Sequence, residues 1–305
     1  MSSSSPLVSI IINCYNSDQF LKEAIDSIYA QTYSNWEIIF WDNASTDDSA
    51  IIAKSYDYRL KYYLANETTP LGEARNLAIQ KATGEYIAFL DCDDLYLPSK
   101  LEKQIQLMGN ADYAMCYGSS LTIDCDGNSV RKTKVKNRSG YLFPDLLKHY
   151  EISMVSVMLR RSMLVDSGLF FLSNLQYSPD YNLFMNIAAV RNIAVVPDYV
   201  VKYRILTTSL SSKTMHVAPL EVKYTLDEII EKFPEFINKF PSELKQAYAK
   251  VHYYKAVYYL FNKKRYQAAL QVKKILFVRY EYFVIFCALL TPLPSTVILK
   301  LLRRA

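Results

Sequence analysis

The chain has 305 residues, of which 51% are hydrophobic and 21% are charged, so its composition is that of a folded protein and not of a disordered one. The five cysteines are odd in number and show no CxxC spacing. This argues against a disulfide framework or a structural zinc site and favours a reducing cytoplasm. The N-terminal sequence lacks the basic and apolar regions of a signal peptide.

The positive charge of the chain is concentrated at its C-terminal end. The net charge is +5, yet residues 241–305 hold twelve Lys and Arg against two acidic residues. Such asymmetry indicates that this part meets an anionic surface, either lipid or nucleic acid. The length of the chain allows one large domain followed by an extension.

Four short apolar segments in the first hundred residues are typical of buried strands, and helical patterns separate them. The first helix has Asn16 or Ser17 as its predicted N-cap. The third begins at Gly72, which we interpret as a turn residue, and Gly84 is its predicted C-terminal cap. The predicted strands are 7–13, 36–41, 60–64 and 84–90. Strands and helices that alternate at this spacing predict parallel βαβ units.

Polar side chains follow three of these strands at the point where each strand ends. They are Asn13 to Tyr15, Asp42 with Asn43, and Asp91 to Asp94. Because the carboxyl ends of parallel strands share one edge of the sheet, this edge is the expected ligand site. The chain contains no GxGxxG after its first strand and no GxxxxGK[ST], so dehydrogenase and P-loop functions lose their main support.

The most informative of these strand ends is the acidic cluster Asp91, Asp93 and Asp94. Crowded carboxylates repel one another and favour a cation, and Mg²⁺ or Mn²⁺ binds one or two carboxylates together with water and phosphate oxygens. A solvated acidic loop is the alternative interpretation of the same residues.

Together, these segments resemble the family 2 glycosyltransferases, which use nucleotide sugars and have the α/β fold called GT-A, a mostly parallel central sheet with flanking helices. The resemblance spans nearly the whole first hundred residues in the family's order. The matching segments are 8–16, 27–32, 41–47, 74–76 and 84–98.

The resemblance implies a role for each matching polar residue. Asn13 and Tyr15 would line the nucleobase pocket, and Asp42 and Asn43 would contact the edge of a pyrimidine. Arg75 would approach the base or the diphosphate. Asp91 would bind the ribose and sugar side and would join Asp93 in holding Mn²⁺ or Mg²⁺, while Asp94 would orient this shell.

The family's catalytic base comes from an acidic residue at the start of a downstream helix, and Asp180 matches that place. Pro179 stands where the family often has Glu, so one carboxylate remains instead of two. A base at this position implies inversion at the anomeric carbon. The alternative is that Asp180 is only a first-turn acid of a helix. Tyr203 and Arg204 are similar to a Tyr-Arg-x-His element of the family, but Leu206 replaces the His.

Between these two groups lies the expected acceptor side. Residues 124–128 predict a hairpin turn, which explains the second DxD, Asp124 and Asp126, better than a second metal does. The basic residues 132–138 are interpreted as a solvated stretch, or as a contact for an anionic acceptor such as a lipid diphosphate.

Beyond about residue 219 the pattern is helical. Residues 252–260 and 266–272 predict an antiparallel helix pair. Residues 282–299 carry no charge, but prolines interrupt them. With basic residues on both sides, they predict a helical hairpin lying on an anionic membrane and not crossing it. A helix packed on the catalytic domain is the alternative.

The sequence thus predicts a GT-A catalytic domain at 1–215, with a nucleotide-sugar half at about 6–110 and an acceptor half at about 111–215, and a helical extension at 216–305. We expect an inverting, metal-dependent glycosyltransferase that uses a UDP-sugar and a glycan or lipid-linked acceptor in surface polysaccharide or glycolipid synthesis. It would lie at the cytoplasmic face of the membrane and would have no nucleic-acid partner. The rivals are another nucleotide-dependent transferase and a non-catalytic nucleotide-binding or scaffold protein.

Overall fold

The computed structural model describes residues 5–109, 112–165, 168–206, 214–291, 293–294 and 298. The contacts among them divide the chain into two compact units. The first comprises the described residues of Met1–Leu142 and Glu151–Thr207, and the second those of Phe143–Tyr150 and Thr208–Ala305. The structure thus groups Phe143–Tyr150 with the helical C-terminal part, whereas a boundary at residue 215 stays a prediction.

The strands of the first unit form one mixed sheet in the order β3-β2-β1-β4-β8-β6-β9-β5, with β7 paired to β6. They are β1 (Val8–Cys14), β2 (Trp36–Asp42), β3 (Leu60–Leu64), β4 (Tyr86–Phe89), β5 (Leu95–Tyr96), β6 (Met115–Ile123), β7 (Ser129–Thr133), β8 (Met158–Arg160) and β9 (Ile193–Arg204).

Helices cover the sheet in the first unit and make up the second. In the first unit they are α1 (Asp18–Tyr29), α2 (Ser49–Lys54), α3 (Leu71–Ile79), α4 (Lys100–Gly109), α6 (Arg161–Val165) and α7 (Pro179–Val190). In the second unit they are α5 (Phe143–Lys148), α8 (Ala218–Lys232), α9 (Phe236–Lys239), α10 (Pro241–Phe261), α11 (Arg265–Lys273) and α12 (Tyr280–Leu290).

The four predicted strands β1 to β4 are present and parallel, as the sequence predicts. β1 pairs with β2 and β4, and β2 pairs with β3, so the carboxyl ends of these strands share one edge. Every residue of β2 is buried, and β1 is buried except at Asn13. Asn13 is therefore the place in β1 where a polar side chain reaches a partly open surface.

The other half of the sheet brings distant segments to the same unit. β8 is antiparallel to both β4 and β6, and β9 runs parallel to β6 and antiparallel to β5. The predicted hairpin turn is confirmed, because the Asp124 carboxylate accepts the N–H groups of Asp126 and Asn128, and Gly127 has φ +81°. This turn leaves Asp124 and Asp126 in a loop geometry and not in a metal site.

The helix caps predicted for α1 and α3 agree with the structure only in part. Ser17 occupies the predicted N-cap position of α1, but its hydroxyl donates to the Tyr15 carbonyl, and the N–H of Asp18 donates to the Asp47 carboxylate at 3.0 Å. Gly84 does not cap α3, because Gln80 occupies that position. A Cβ on Gly84 would instead lie 2.6 Å from the Leu7 carbonyl oxygen. Both features are contacts with distant parts of the chain.

Gly72 also has a packing role and does not lie in a turn. It is buried within the first turn of α3, where a Cβ would lie 2.8 Å from the Leu172 carbonyl oxygen. The absence of a side chain therefore permits α3 to pack closely on the segment that leads to α7.

In the second unit, α10 and α11 form the predicted helix pair, and α12 packs on α11. Their shared core includes Ala256, Leu260, Ala268, Val272 and Ile285. Within the described residues, no helix is long and apolar enough to cross a membrane. Of the segment predicted to lie on a membrane, residues 292, 295–297 and 299 fall outside the described part of the chain.

Candidate active site

The parallel strands bring three predicted polar ends together. Cys14 lies opposite Asp42 in the register of β1 and β2, and the N–H of Asn43 donates to the Cys14 carbonyl at 2.8 Å. The Asn13 amide nitrogen is buried and has no hydrogen-bond partner among the described residues, while the Tyr15 side chain is half-exposed. Asn13 and Tyr15 thus offer an open donor and an open ring at this edge.

Asp42 and Asn43, at the end of β2, are buried and bonded to the protein itself. The Asp42 carboxylate accepts the N–H of Ser45 at 2.8 Å and the hydroxyl of Tyr62 at 2.6 Å. The Asn43 side chain donates to the Thr69 carbonyl and accepts from the Thr69 N–H. Both side chains hold the loops around the site, and their contact with a base stays a prediction.

The acidic cluster at the end of β4 has far fewer donors. Asp91 is partly exposed and accepts one guanidinium contact from the buried Arg75 at 3.2 Å. Burial, together with the neighbouring Asp91 carboxylate, raises the pKa of Asp93 to about 6. Burial, together with the carboxylates of Asp91 and Asp93, raises the pKa of Asp94 well above its usual range. The cluster therefore carries negative charge that the protein leaves largely uncompensated.

Arg204, at the end of β9, holds the acidic loop in place. Its backbone N–H donates to Asp94 Oδ1 at 2.7 Å, and its Nε donates to the Asp93 carbonyl at 2.9 Å. Its remaining nitrogens reach the Cys125 carbonyl at 3.0 Å and the Glu23 carboxylate at 2.9 Å. Buried Arg204 thus joins α1, the acidic loop and the β6–β7 hairpin. Local sequence gives no signal for this role, because the partners of Arg204 lie far away along the chain.

The predicted base, Asp180, lies in the first turn of α7, directly after Pro179. Burial raises the pKa of Asp180, the positive charge of Arg75 opposes this, and the Asp91 carboxylate reinforces it. These electrostatic neighbours show that the fold brings Asp180 to the acidic cluster. The sequence could indicate this only through the family resemblance, since the two segments lie far apart in the chain.

Tyr203 is a further side chain of this site that the sequence analysis did not assign to it. Burial and the carboxylates of Asp94, Asp91, Asp93 and Asp180 raise the pKa of Tyr203 to about 12. Its phenol therefore stays protonated at neutral pH and offers a hydroxyl in the field of all four carboxylates. Leu206, two residues after Arg204, adds no ligand to a metal.

The cluster has the donors that a hard divalent cation requires. Asp91 and Asp93 supply carboxylate oxygens, and the buried Asp94 Oδ2 has no hydrogen-bond partner among the described residues. Within the residues that the structure describes, no three His, Cys, Asp or Glu side chains converge as a complete metal site. The residues thus fit Mg²⁺ or Mn²⁺ that completes its coordination with water and phosphate oxygens.

Relatives with assigned names share most of this chain. An uncharacterized glycosyltransferase of Rickettsia typhi is 35% identical over 66% of this chain and 64% of its own length. The Escherichia coli protein UDP-Glc:alpha-D-GlcNAc-diphosphoundecaprenol beta-1,3-glucosyltransferase WfgD is 32% identical over 68% of this chain and 80% of its own length. The chain thus spans just under two thirds of the first relative.

Solved structures with the same architecture are GT-A glycosyltransferases. The mannosyltransferase PcManGT of Pyrobaculum calidifontis, in complex with GDP-Man and Mn²⁺, aligns with a TM-score of 0.62 and 19% identity over 98% of this chain and 79% of its own. Residues 1–349 of S. aureus TarS, in complex with UDP-GlcNAc, align with a TM-score of 0.60 and 16% identity over 91% of each chain. These likenesses confirm the predicted GT-A fold.

The family assignment rests on the sequence itself. The profile described as Glycosyl transferase family 2 matches residues 9–165, which include β1, the Asp42–Asn43 strand end and the acidic cluster. With its relatives and its GT-A fold, the chain belongs to the family 2 glycosyltransferases.

Proposed function

We propose that the protein is an inverting, metal-dependent glycosyltransferase that moves a sugar from a UDP-sugar to an acceptor hydroxyl in the synthesis of a cell-surface polysaccharide or glycolipid. The observation that carries this proposal is the meeting of Asp91, Asp93, Arg75 and Asp180 in one site. Asp91 and Asp93 would supply the metal ligands, Arg75 would supply a positive side chain for the donor diphosphate, and Asp180 would be the base.

The donor side of the site would use the acidic cluster and the polar side chains at the strand ends. Asp91 and Asp93 would hold Mn²⁺ or Mg²⁺, which when bound neutralises charge on the leaving diphosphate. Arg75 would approach the same diphosphate. The free Asn13 amide would donate to a base carbonyl, and the exposed Tyr15 ring would stack on the base. Asp42 and Asn43 would shape the pocket edge that contacts a pyrimidine.

The acceptor side would use Asp180 as the general base. Its raised pKa brings a carboxylate closer to neutral pH, where a base that takes a hydroxyl proton is most effective. A single base that activates the acceptor for direct attack opposite the leaving diphosphate gives inversion. Asp91 lies among the neighbours that influence Asp180, which supports placing the acceptor hydroxyl beside the bound donor sugar.

The choice of donor and acceptor is supported by the relatives. The name of the Escherichia coli relative specifies UDP-Glc and a diphosphoundecaprenol-linked acceptor, and the TarS complex contains UDP-GlcNAc, whereas PcManGT binds GDP-Man. Sequence identity is greater with the Escherichia coli protein, which favours UDP and a lipid-linked acceptor here. We place the enzyme at the cytoplasmic face of the membrane, held peripherally by its C-terminal helices.

Calorimetric titration of UDP tests the donor site. We expect binding with Mn²⁺ that is lost with a chelator and in Asp93→Ala. Asp126→Ala, in the hairpin DxD, is the matched control and should bind as the unaltered protein does. Failure of UDP and other nucleoside diphosphates to bind under any condition would favour the scaffold function. Equal binding by Asp93→Ala would refute the assigned metal site.

Product stereochemistry tests the base. With a panel of UDP-sugars and a lipid-linked acceptor, nuclear magnetic resonance of the product should show an anomeric configuration opposite to that of the donor. Retention of configuration would exclude the proposed role of Asp180 in direct displacement.

A further inference from the structure

Apart from Glu281 in its first turn, helix α12 carries apolar side chains on two opposite sides, although the described residues cover only one of them. Tyr282, Ile285, Ala288 and Leu289 face the core of the second unit and are buried. The opposite side carries Tyr280, Phe283, Val284, Cys287 and Leu290, at a spacing that places them along one helical stripe. We call this exposed stripe the α12 outer face.

The large side chains of the α12 outer face are exposed to solvent. The exposed fraction is 77% for Tyr280, 56% for Phe283 and 68% for Leu290. Phe277, in the turn before the helix, is 93% exposed. An exposed stripe of large apolar side chains marks a surface that binds a partner protein or a membrane.

The charge around this helix selects the kind of partner. Lys263, Lys264, Lys273 and Lys274 are exposed on and beside α11. The one acidic residue between positions 261 and 291, Glu281, forms an ion pair with Arg279 at 2.8 Å. An apolar stripe with exposed lysines nearby is complementary to an anionic lipid surface. A second copy would present the same positive charge and would be repelled.

The length of the helix defines how it can meet lipid. At 11 residues, α12 is about 16 Å long, roughly half the thickness of a bilayer's hydrocarbon core. It is therefore suited to lying in the headgroup region, where Phe and Tyr side chains are also favourable. We propose that the α12 outer face, with Phe277 and the lysines of α11, is the surface that docks this enzyme on anionic phospholipid.

This inference deepens the proposed membrane location. It rests on the proposed function for that location alone, because docking requires neither donor nor metal. The same protein preparation can thus be tested for UDP binding and for lipid binding. Loss of one result would leave the other unaffected, so the failure of either proposal can be recognised separately.

Flotation with vesicles tests the docking surface directly. The full chain should bind vesicles of phosphatidylcholine mixed with phosphatidylglycerol, and it should bind pure phosphatidylcholine about tenfold more weakly or less. Phe283→Asp with Val284→Asp should abolish binding, and Lys273→Glu with Lys274→Glu should reduce it by roughly tenfold or more. Tyr58→Asp, at an exposed aromatic of the first unit, is the control and should bind normally.

The native cysteines provide a second test that needs no substitution of the surface. Cys287 lies on the outer face and Cys125 in the β6–β7 hairpin, and both are exposed, whereas the other three cysteines are buried. A maleimide should label both residues in solution, and anionic vesicles should protect Cys287 alone.

Three outcomes would overturn the proposal. Protection of Cys287 without vesicles in dilute protein would mean that another segment of this chain covers the face. Protection that rises with protein concentration alone would identify a second copy. Equal labelling with and without anionic vesicles would exclude lipid as the partner.

Discussion

Two acidic strand ends of the same sheet have opposite surroundings. After β2, both oxygens of Asp42 accept hydrogen bonds, from the Ser45 N–H and the Tyr62 hydroxyl. After β4, Asp93 has a pKa raised to about 6 and Asp94 has an oxygen without a partner among the described residues. An acid at a strand end is therefore structural where the fold supplies donors to it, and open to a ligand where the fold does not.

The difference arises from what the neighbouring segments provide. The loop after β2 turns back so that its own backbone N–H reaches Asp42, and β3 adds the Tyr62 hydroxyl. The loop after β4 receives the backbone N–H of Arg204 and the guanidinium of Arg75, one for Asp94 and one for Asp91. Fewer donors than carboxylate oxygens leave a net negative charge that favours a cation.

The largest effect is expected for Asp93→Asn. Transfer activity should fall on the order of a thousandfold or more, because a proposed metal ligand is lost. The thermal unfolding midpoint, measured with chelator present, should stay the same or rise. The pKa of Asp93 lies above its usual 3.8, so its ionised form destabilises the fold at neutral pH, and the amide removes that cost. A lowered midpoint would mean that Asp93 is as structural as Asp42.

Asp180→Asn should reduce activity by roughly a hundredfold to ten thousandfold while UDP affinity is retained. Burial raises the pKa of Asp180, and the base works in its deprotonated form, so activity should fall with decreasing pH at higher values than an ordinary aspartate would give. The residual activity of the variant should lack this acidic limb. An unchanged pH profile of kcat would exclude Asp180 as the base.

Asp42→Ala should destabilise the protein by about 1–3 kcal/mol, because a partly buried N–H and a partly buried hydroxyl lose their acceptor. Tyr62→Phe removes one of these two bonds and should cost about 1 kcal/mol. Denaturant-induced unfolding measures both values. Full stability of Asp42→Ala would remove the contrast between the two strand ends.

The smallest effect is expected for the buried Lys100, whose Nζ donates to Gln104 Oε1 at 2.7 Å. Burial lowers the pKa of Lys100 to about 7 from 10.5. Between these two pH values the unfolded chain binds a proton that the folded chain does not, so the free energy of unfolding should rise with pH. The slope is at most about 1.4 kcal/mol per pH unit.

The control for this slope is Lys100→Met, which should lose the Lys100 contribution over the same pH range. The comparison of slopes, and not of absolute stability, isolates this residue, because Gln104 also loses its partner in the variant. Parallel slopes for the two proteins would show that Lys100 stays charged in the folded state.

Much of the first unit follows from local patterns. Apolar segments of strand length, separated by helical repeats, predict β1 to β4 and their parallel order, because burial of each face demands this spacing. The acidic cluster after β4 was visible for the same reason. The acceptor for the first N–H of α1 and the packing roles of Gly72 and Gly84 were not visible, because the partners, Asp47, Leu172 and Leu7, lie elsewhere in the fold.

Local sequence patterns were sufficient to predict the βαβ order, the family, and the residues at the carboxyl edge of the sheet. Which of those residues are already paired became known from the three-dimensional fold, since a hydrogen-bond partner is set by proximity in space. The fold placed Arg204 behind the acidic loop and Tyr203 in the field of four carboxylates. It also separated the two apolar sides of α12, because a helix with apolar residues on opposite sides gives no indication of which side its neighbours will cover.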